Sequence, residues 1–538
     1  MKIRTTSRIS LLTATAAILA ICAIPAAHAA NTWDGGGADA NWNTANNWDD
    51  NVVPASPQNL TFIGDTQTVT TNNITGFTAG TGAASSNGIT FGNTGAVGTS
   101  AFTLSGTQIT LVGGSGAGGS IISSNVTVGS ITDTISLNMN LGSNNTTIST
   151  GTAHNLIISG ALSQTTGLRA LIKTGAGELF LQNAGNSNLG STTINSGILT
   201  VNVAGGIQNS GTNSALGAGT AGANSQINFS GGTLNVTLGA GSTDRQVRIG
   251  STTVGSAAGA NITNNSANGG TPLTFSNAAF NVSAGAITAA RTLTFGGTNT
   301  DANAISGAII DNNTGGGGIV NVTKADAGRW ILSGTNTYTG ITAVNAGTLL
   351  INGNNSAAGG AVNVTGSTSI LGGSGTIGGA VSIAANSTLA PGNSPGLLTL
   401  NSTLTFSSAN SKANFEIATG TRGTNYDAVN VTGLLTYNGG LTLTIGAAIV
   451  NGTYDLFGGA GGGALSQTGS FDTIAFAGGA YSGTWVNTLG VWTASSGGQD
   501  FTFTQSTGDL IVAVPEPGTW ALLTTSLTGL LIFRRRRR

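Results

Sequence analysis

Apolar and polar residues alternate in short runs throughout the interior of the chain. Phe102-Thr-Leu104, Ile109-Thr-Leu111, Leu400-Asn-Ser-Thr-Leu404-Thr-Phe406 and Leu441-Thr-Leu443-Thr-Ile445 each put their apolar side chains on one side of an extended backbone. Glycine and asparagine interrupt the runs every few residues, which predicts short half-buried strands joined by turns. Between the two ends of the chain no stretch shows a 3.6-residue period with charged faces. Strands this short cannot build a core one by one, but a stack of coils buries a continuous apolar column. The predicted fold class is all-β, a right-handed parallel β-helix. A β-sandwich or propeller is the structural alternative.

The interior also repeats itself. Lys173-Thr-Gly-Ala-Gly177 is followed by Leu179-Phe-Leu181, then by Asn195-Ser-Gly197-Ile-Leu199-Thr-Val201-Asn202. Lys324-Ala-Asp-Ala-Gly328 is followed by Trp330-Ile-Leu332, then by Asn345-Ala-Gly347-Thr-Leu349-Leu-Ile351-Asn352. The two copies differ in length by one residue, and a degenerate core recurs at Gly232-Thr-Leu234-Asn-Val236. Asparagines at like positions in successive coils are expected to form side-chain ladders. Residues 65–400 are read as the solenoid. Residues 30–64, with Trp33, Trp42 and Trp48, are read as its N-terminal cap. Residues 401–513, with Tyr426, Tyr454, Trp485 and Trp492, are read as closing coils that merge into a compact β region.

The two ends have a different character. Lys2, Arg4 and Arg8 precede an apolar stretch from Leu11 to Ile24 and a small-x-small site at Ala27-His28-Ala29. This predicts a secretory signal peptide over 1–29, cut to leave Ala30 first. A lipoprotein signal at Cys22 is the rival, but Ile21 stands where a small residue is usual. Cys22 is the single cysteine. The mature chain therefore has no disulfide, zinc-thiolate site or cysteine nucleophile. At the other end Pro515-Glu516-Pro517 precedes an apolar segment, Trp520 to Phe533, and then Arg534, Arg535, Arg536, Arg537 and Arg538. That segment is shorter than the roughly 20 residues of a full helical span. The arginines act as a membrane stop and stay cytoplasmic.

Charge changes the picture in one respect. Charged residues are 7% of the chain, glycines number 87, and 39% of residues are hydrophobic. Such a chain is too apolar and too weakly charged for charge-driven disorder. Eight of the 17 basic residues sit at the two ends, leaving nine in the body against all 18 acidic ones, a formal net charge of −9. Nine scattered cations in an acidic body argue against nucleic-acid binding.

These residues carry two resemblances. The Pro-Glu-Pro, the short apolar helix and the arginine cluster closely resemble the PEP-CTERM sorting signal of exosortase-processed bacterial proteins, over 514–538. The resemblance implies export in a Gram-negative-type bacterium. It also implies processing by signal peptidase and an exosortase-type enzyme, transient residence in the inner membrane through the C-terminal helix, and delivery to the cell surface, outer membrane or extracellular matrix. Residues 171–203 and 322–353 resemble the autotransporter-associated beta-strand repeat. Leu332-Ser-Gly-Thr-Asn336-Thr-Tyr338-Thr-Gly340 and Val344-Asn-Ala-Gly-Thr-Leu349 match it well, with Asp326 where the pattern has glycine. Leu389-Ala-Pro-Gly-Asn-Ser-Pro-Gly396 and the opening Trp33-Asp-Gly-Gly-Gly37 are similar to parts of such proteins. The resemblance implies a β-helical, passenger-like surface stalk. A C-terminal translocator barrel is not seen, because the sorting tail occupies its place.

Candidate chemistry is sparse. His154 is the only histidine after signal removal, and it lies between polar turns without a nucleophile elbow. It reads as a surface or turn residue. Glu178, Asp133, Asp244, Asp301, Asp311 and Asp326 are the carboxylates available to a glycosidase or lyase. None forms a repeated pair. Lys324 falls at the repeat position of Lys173, and Arg329 aligns with Glu178, which a shared active site would not allow. Asp39-Ala-Asn41-Trp-Asn43 and Asp50 echo a calcium loop loosely, with Thr44 where glycine is needed. Glycine runs such as Gly315 to Gly318 lack the lysine of a phosphate-binding loop. The expectation is therefore no catalytic residue, no cofactor and no bound metal. The expected function is that of an exported structural or adhesive surface or matrix protein. It would hold polysaccharide or self-associate, and would not bind nucleic acid. The alternative is a secreted polysaccharide lyase or hydrolase on a β-helix.

Overall fold

The computed structural model describes residues 31–515, apart from 82–87, 93–99, 113–119, 124–129, 143, 166, 221, 251–257, 271, 278, 283–288, 312–317, 447–448, 460–463 and 479–480. The predicted signal peptide, Glu516, Pro517, the apolar segment 520–533 and the five terminal arginines lie outside the described residues. Pro515 is the last described position, and it is exposed.

Short strands wind into a parallel solenoid. The largest sheet has 16 strands, from Val69–Asn72 to Gln467–Gly469, and runs almost the whole length. An 11-stranded sheet, Asn31–Trp33 to Ala308–Ile309, gives the first part a second face. A 10-stranded sheet, Ser242–Thr243 to Thr473–Phe476, does so for the later part. Smaller parallel sheets of four strands (Thr78–Ala79 to Leu162–Ser163) and five strands (Asn354–Asn355 to Phe457–Gly458) complete the coils. Each strand pairs with its successor one coil on, as Glu178 with Ile198 and Val322 with Thr342. Among the described residues there is no α-helix, only the 3₁₀ turns Ala45–Asn47 and Gly222–Ser225. No helix among them is long and apolar enough to cross a membrane.

The alternation in the sequence places the core. Along Ile131–Ile135 and Lys412–Ile417 every second residue is buried. The inward residues stack in register from coil to coil: Leu156, Leu179, Leu199, Leu234, Ile262 and Phe295 follow one another, each at 0% exposure. Burying each such side chain contributes about 1.5–3 kcal/mol. A single strand has at most three of them, so only the stack closes a core.

Both ends of the column are sealed by aromatic rings. At the N-terminal end Trp33 and Trp48 meet edge to face at 5.2 Å, and Trp42 lies 5.6 Å from Phe62. This segment is not a separate module, because Asn31–Trp33 and Leu60–Phe62 are already the first two strands of the 11-stranded sheet. At the C-terminal end the coils continue past residue 400, to Gln467–Gly469 and Thr473–Phe476. An antiparallel sheet then covers them, ordered Gly452–Asp455, Asp509–Ala513, Gln499–Thr504, Val491–Ser496, Val486–Thr488. Phe503 lies 6.2 Å from Phe471, and Phe501 lies 5.1 Å from Phe476. The large side chains after residue 401 thus fill the last coils and lid them.

Candidate functional site

The six candidate carboxylates do not converge. Glu178 accepts a bond from the Thr200 hydroxyl one coil on. Asp244 accepts from the Ser210 amide at 2.6 Å. Asp301 accepts from the Gly269 amide at 3.0 Å and from Asn299 at 3.1 Å. Asp311 accepts from the Val320 amide at 2.8 Å and from the Thr339 amide and hydroxyl at 2.9 and 2.6 Å. Asp326 accepts from the Gly297 amide at 2.8 Å. These carboxylates clamp turns or stitch one coil to the next, where a charged acceptor on a backbone amide is a strong bond.

His154 departs from its expected place. It is not on the surface: it is 2% exposed, and its Nε2 bonds Asp133, itself 1% exposed, across neighbouring strands of the largest sheet. The other Asp133 oxygen accepts from the Phe102 amide at 2.8 Å. The alternation of burial along Ile131–Ile135 and His154–Ile158 turns both side chains inward, closed to a substrate. Sequence distance hid this pair, because 21 residues become adjacent only through the coil register.

The loop suggested for calcium resolves into two separate turns. Asp39 accepts from the Asn41 amide, the Asn41 side chain and the Thr44 hydroxyl, the last at 2.7 Å. These bonds, that of Thr44 first, hold its carboxyl below the usual range. Asp50 serves the Val52 amide and reaches Asn31. Among the described residues no three His, Cys, Asp or Glu side chains gather as metal ligands.

One carboxylate pair went unnoticed in the sequence. Asp455 and Asp509 stand directly opposite on antiparallel strands. Arg422 lies 3.1 Å from Asp455 and also donates to Asn430 and to the Val429 carbonyl. Burial raises Asp455 above the usual carboxyl range, Arg422 lowers it, and Asp509 adds to the rise. Opposed like charges weaken a strand pair by a few tenths of a kcal/mol to about 1 kcal/mol. Asp509→Asn is therefore expected to raise stability by about 0.5 kcal/mol and to lower the Asp455 pKa. Urea denaturation with an NMR titration of Asp455 checks both. An unchanged or lower midpoint would show that the opposition costs nothing.

The outward side of the largest sheet is different in character. One register row passes through Thr294, Thr323, Ala343, Asn363, Ser382, Thr405, Thr436 and Thr468, one residue per coil. Except for Ala343 these are hydroxyls and one amide, and their side chains make no hydrogen bond within the described residues. Beside the row stand Ile341 and Leu434, 48% and 42% exposed.

The corners hold the repeated lysines. Lys173 is 1% exposed and donates to the carbonyls of Thr174, Gly175 and, one coil on, Ser196. Lys324 is 0% exposed and donates to those of Ala325, Asp326 and Ala346. The two local offsets recur and the third differs by one residue, 23 against 22, so each ammonium staples two successive corners. Gly175 has φ +74° and Asp326 has φ +56°. The departure at Asp326 is physical: aspartate tolerates this left-handed turn, and its carboxylate gains the Gly297 amide.

Residues 171–201 and 322–351 match the family model of the passenger-associated-transport-repeat. The match fits the staple geometry of both segments. It is the repeat of autotransporter-type passenger domains, compatible with an exported, cell-surface or secreted protein. A comparison with curated proteins finds no match. The repeat specifies a corner and not a face. In the first copy the lysine strand, Leu171–Thr174, lies in the 11-stranded sheet and leads to Glu178–Leu181 in the largest. In the second copy, Val320–Lys324 lies in the largest sheet and leads to Arg329–Leu332 in the 10-stranded one. A second repeated device is the buried asparagine of each copy. Asn186 accepts from the Leu162 amide and donates to the Ala215 carbonyl. Asn336 accepts from the Ile309 amide and donates to Asn355. Each ties three coils together.

Proposed function

We propose that this protein is an exported structural and adhesive component of a bacterial cell surface or extracellular matrix. On this reading signal peptidase removes residues 1–29. An exosortase-type enzyme then processes the Pro515-Glu516-Pro517 segment while the apolar segment and Arg534–Arg538 hold the chain in the inner membrane. The supporting observation is the division of labour among polar groups. The candidate carboxylates are engaged in holding coils together, whereas the hydroxyls of a long, partly exposed outward row make no side-chain hydrogen bond among the described residues. A column built this way presents many weak, equivalent contacts, which add by multivalency. The uncharged outward row weakens repulsion where copies would meet along it.

The test incubates the mature chain with a panel of polysaccharides and scores both retention and new reducing or unsaturated ends. Retention or self-association without new ends is expected. New ends that disappear in Asp326→Asn or Asp509→Asn would make the protein an enzyme and overturn the proposal.

A further inference from the structure

The outward row of the largest sheet lies within a wider uncharged face. Two residues before Asn363, Ser382 and Thr405 stand Ala361, Ala380 and Thr403, and two residues after them stand Thr365, Ala384 and Ser407. Over the strands Thr342–Val344 to Gln467–Gly469 none of these positions carries Lys, Arg, Asp or Glu. Strands repeat about every 4.8 Å, so the eight row positions from Thr294 to Thr468 span roughly 34 Å. Three rows about 6.6 Å apart give a width of roughly 13 Å.

We infer that this face holds a neutral, extended polysaccharide chain lying along the solenoid axis. Three properties select that partner. The first is periodicity: a linear polymer running along the axis meets an equivalent group at every coil, which a compact ligand does not. The second is chemistry. A threonine or serine hydroxyl both donates and accepts, as sugar hydroxyls do, and the aliphatic Ile341 and Leu434 beside the row suit the C–H faces of sugar rings. The third is charge and size. The body carries a formal net charge of −9, which repels acidic polymers, and the neutral face offers no cation to recover them. The strip is on the order of 450 Å², below the roughly 800 Å² per partner of a standard protein interface, so it suits a narrow polymer better than a second copy.

This inference deepens the adhesive reading and rests on it. The test uses the full mature chain with insoluble cellulose as the neutral probe and alginate as the acidic one, read by co-sedimentation. Thr405→Glu/Thr436→Glu places two charges on adjacent coils of the face. Thr61→Glu/Thr90→Glu does the same on the outward side of the 11-stranded sheet. Circular dichroism and urea midpoints confirm that both variants fold. Cellulose is expected to retain the wild type and the second variant, while the first loses at least tenfold in bound fraction. Alginate is expected to retain none. No retention on cellulose, or equal retention of both variants, overturns the inference. Self-association abolished by Thr405→Glu/Thr436→Glu without cellulose retention would make the face a contact between copies. That result overturns the inference and leaves the adhesive function standing, whereas release of new chain ends from cellulose would remove that function itself.

Discussion

Replacing Lys324 by methionine is expected to destabilise the protein by about 3 kcal/mol at pH 7, although it removes a buried charge. Two effects oppose each other. Burial pushes the Lys324 ammonium down to about 8, with Asp326 opposing, and Lys173 likewise to about 8, with Glu178 opposing. Keeping such a group charged out of water costs about 3 kcal/mol at neutral pH. Against this stand three charge-assisted bonds to carbonyls, each contributing about 1.5–3 kcal/mol. Methionine fills the space but leaves the carbonyls of Ala325, Asp326 and Ala346 without a donor. The bonds therefore win. Urea unfolding with hydrogen exchange at the corner amides should show a lowered midpoint and faster exchange around 325–328 and 345–347. A midpoint equal to or above that of the wild type would mean that desolvation dominates.

The same two lysines give the wild type a distinctive pH profile. Between about pH 8 and the ordinary lysine value of 10.5 the unfolded chain binds more protons at these sites than the folded one. Stability therefore rises with pH across that window. Tyr338, which burial pushes up to about 12 while its bond to Thr342 opposes, works the other way above pH 10. There the unfolded phenol loses a proton that the folded one keeps. The rise should be smaller in Lys173→Met/Lys324→Met. A profile unaltered by the double substitution would count against the assignment.

Trp42→Ala is expected to cost about 3–5 kcal/mol and to promote association of the N-terminal end. Trp42 is 0% exposed and packs edge-on against Phe77 at 5.9 Å and Trp48 at 6.3 Å. Its ring nitrogen donates to Thr70 at 3.0 Å. Truncation removes a large side chain at the point where the column would otherwise open, and an uncovered solenoid end presents a strand edge to other chains. Thr70→Val, which removes only the hydroxyl, should cost about 1 kcal/mol and leave the chain monodisperse. Thermal unfolding and light scattering separate the two variants. Equal, small effects from both would show that this cluster does not seal the column.

The architecture was legible because it is local. Alternation over three to five residues, glycine and asparagine turns and a repeated corner depend on neighbours in sequence, and the parallel solenoid follows from stacking them. The cap tryptophans were legible for the same reason, as bulky apolar residues crowded at one end. The roles of single polar residues were not. Asp133 and His154, Asp455 and Asp509, and Lys324 and Ala346 meet only through coil register. Coil length varies from 18 residues between Ile370 and Thr388 to 35 between Thr200 and Asn235. The sequence by itself determined that strands form, which side of each is buried and that corners recur. Only the tertiary structure decided which carboxylates serve as stitches, that the one histidine of the body is buried, and that one outward face carries a straight uncharged row. Strand pairing is cooperative across coils of unequal length, so a residue's partner depends on the lengths of the intervening turns and not on its own neighbourhood.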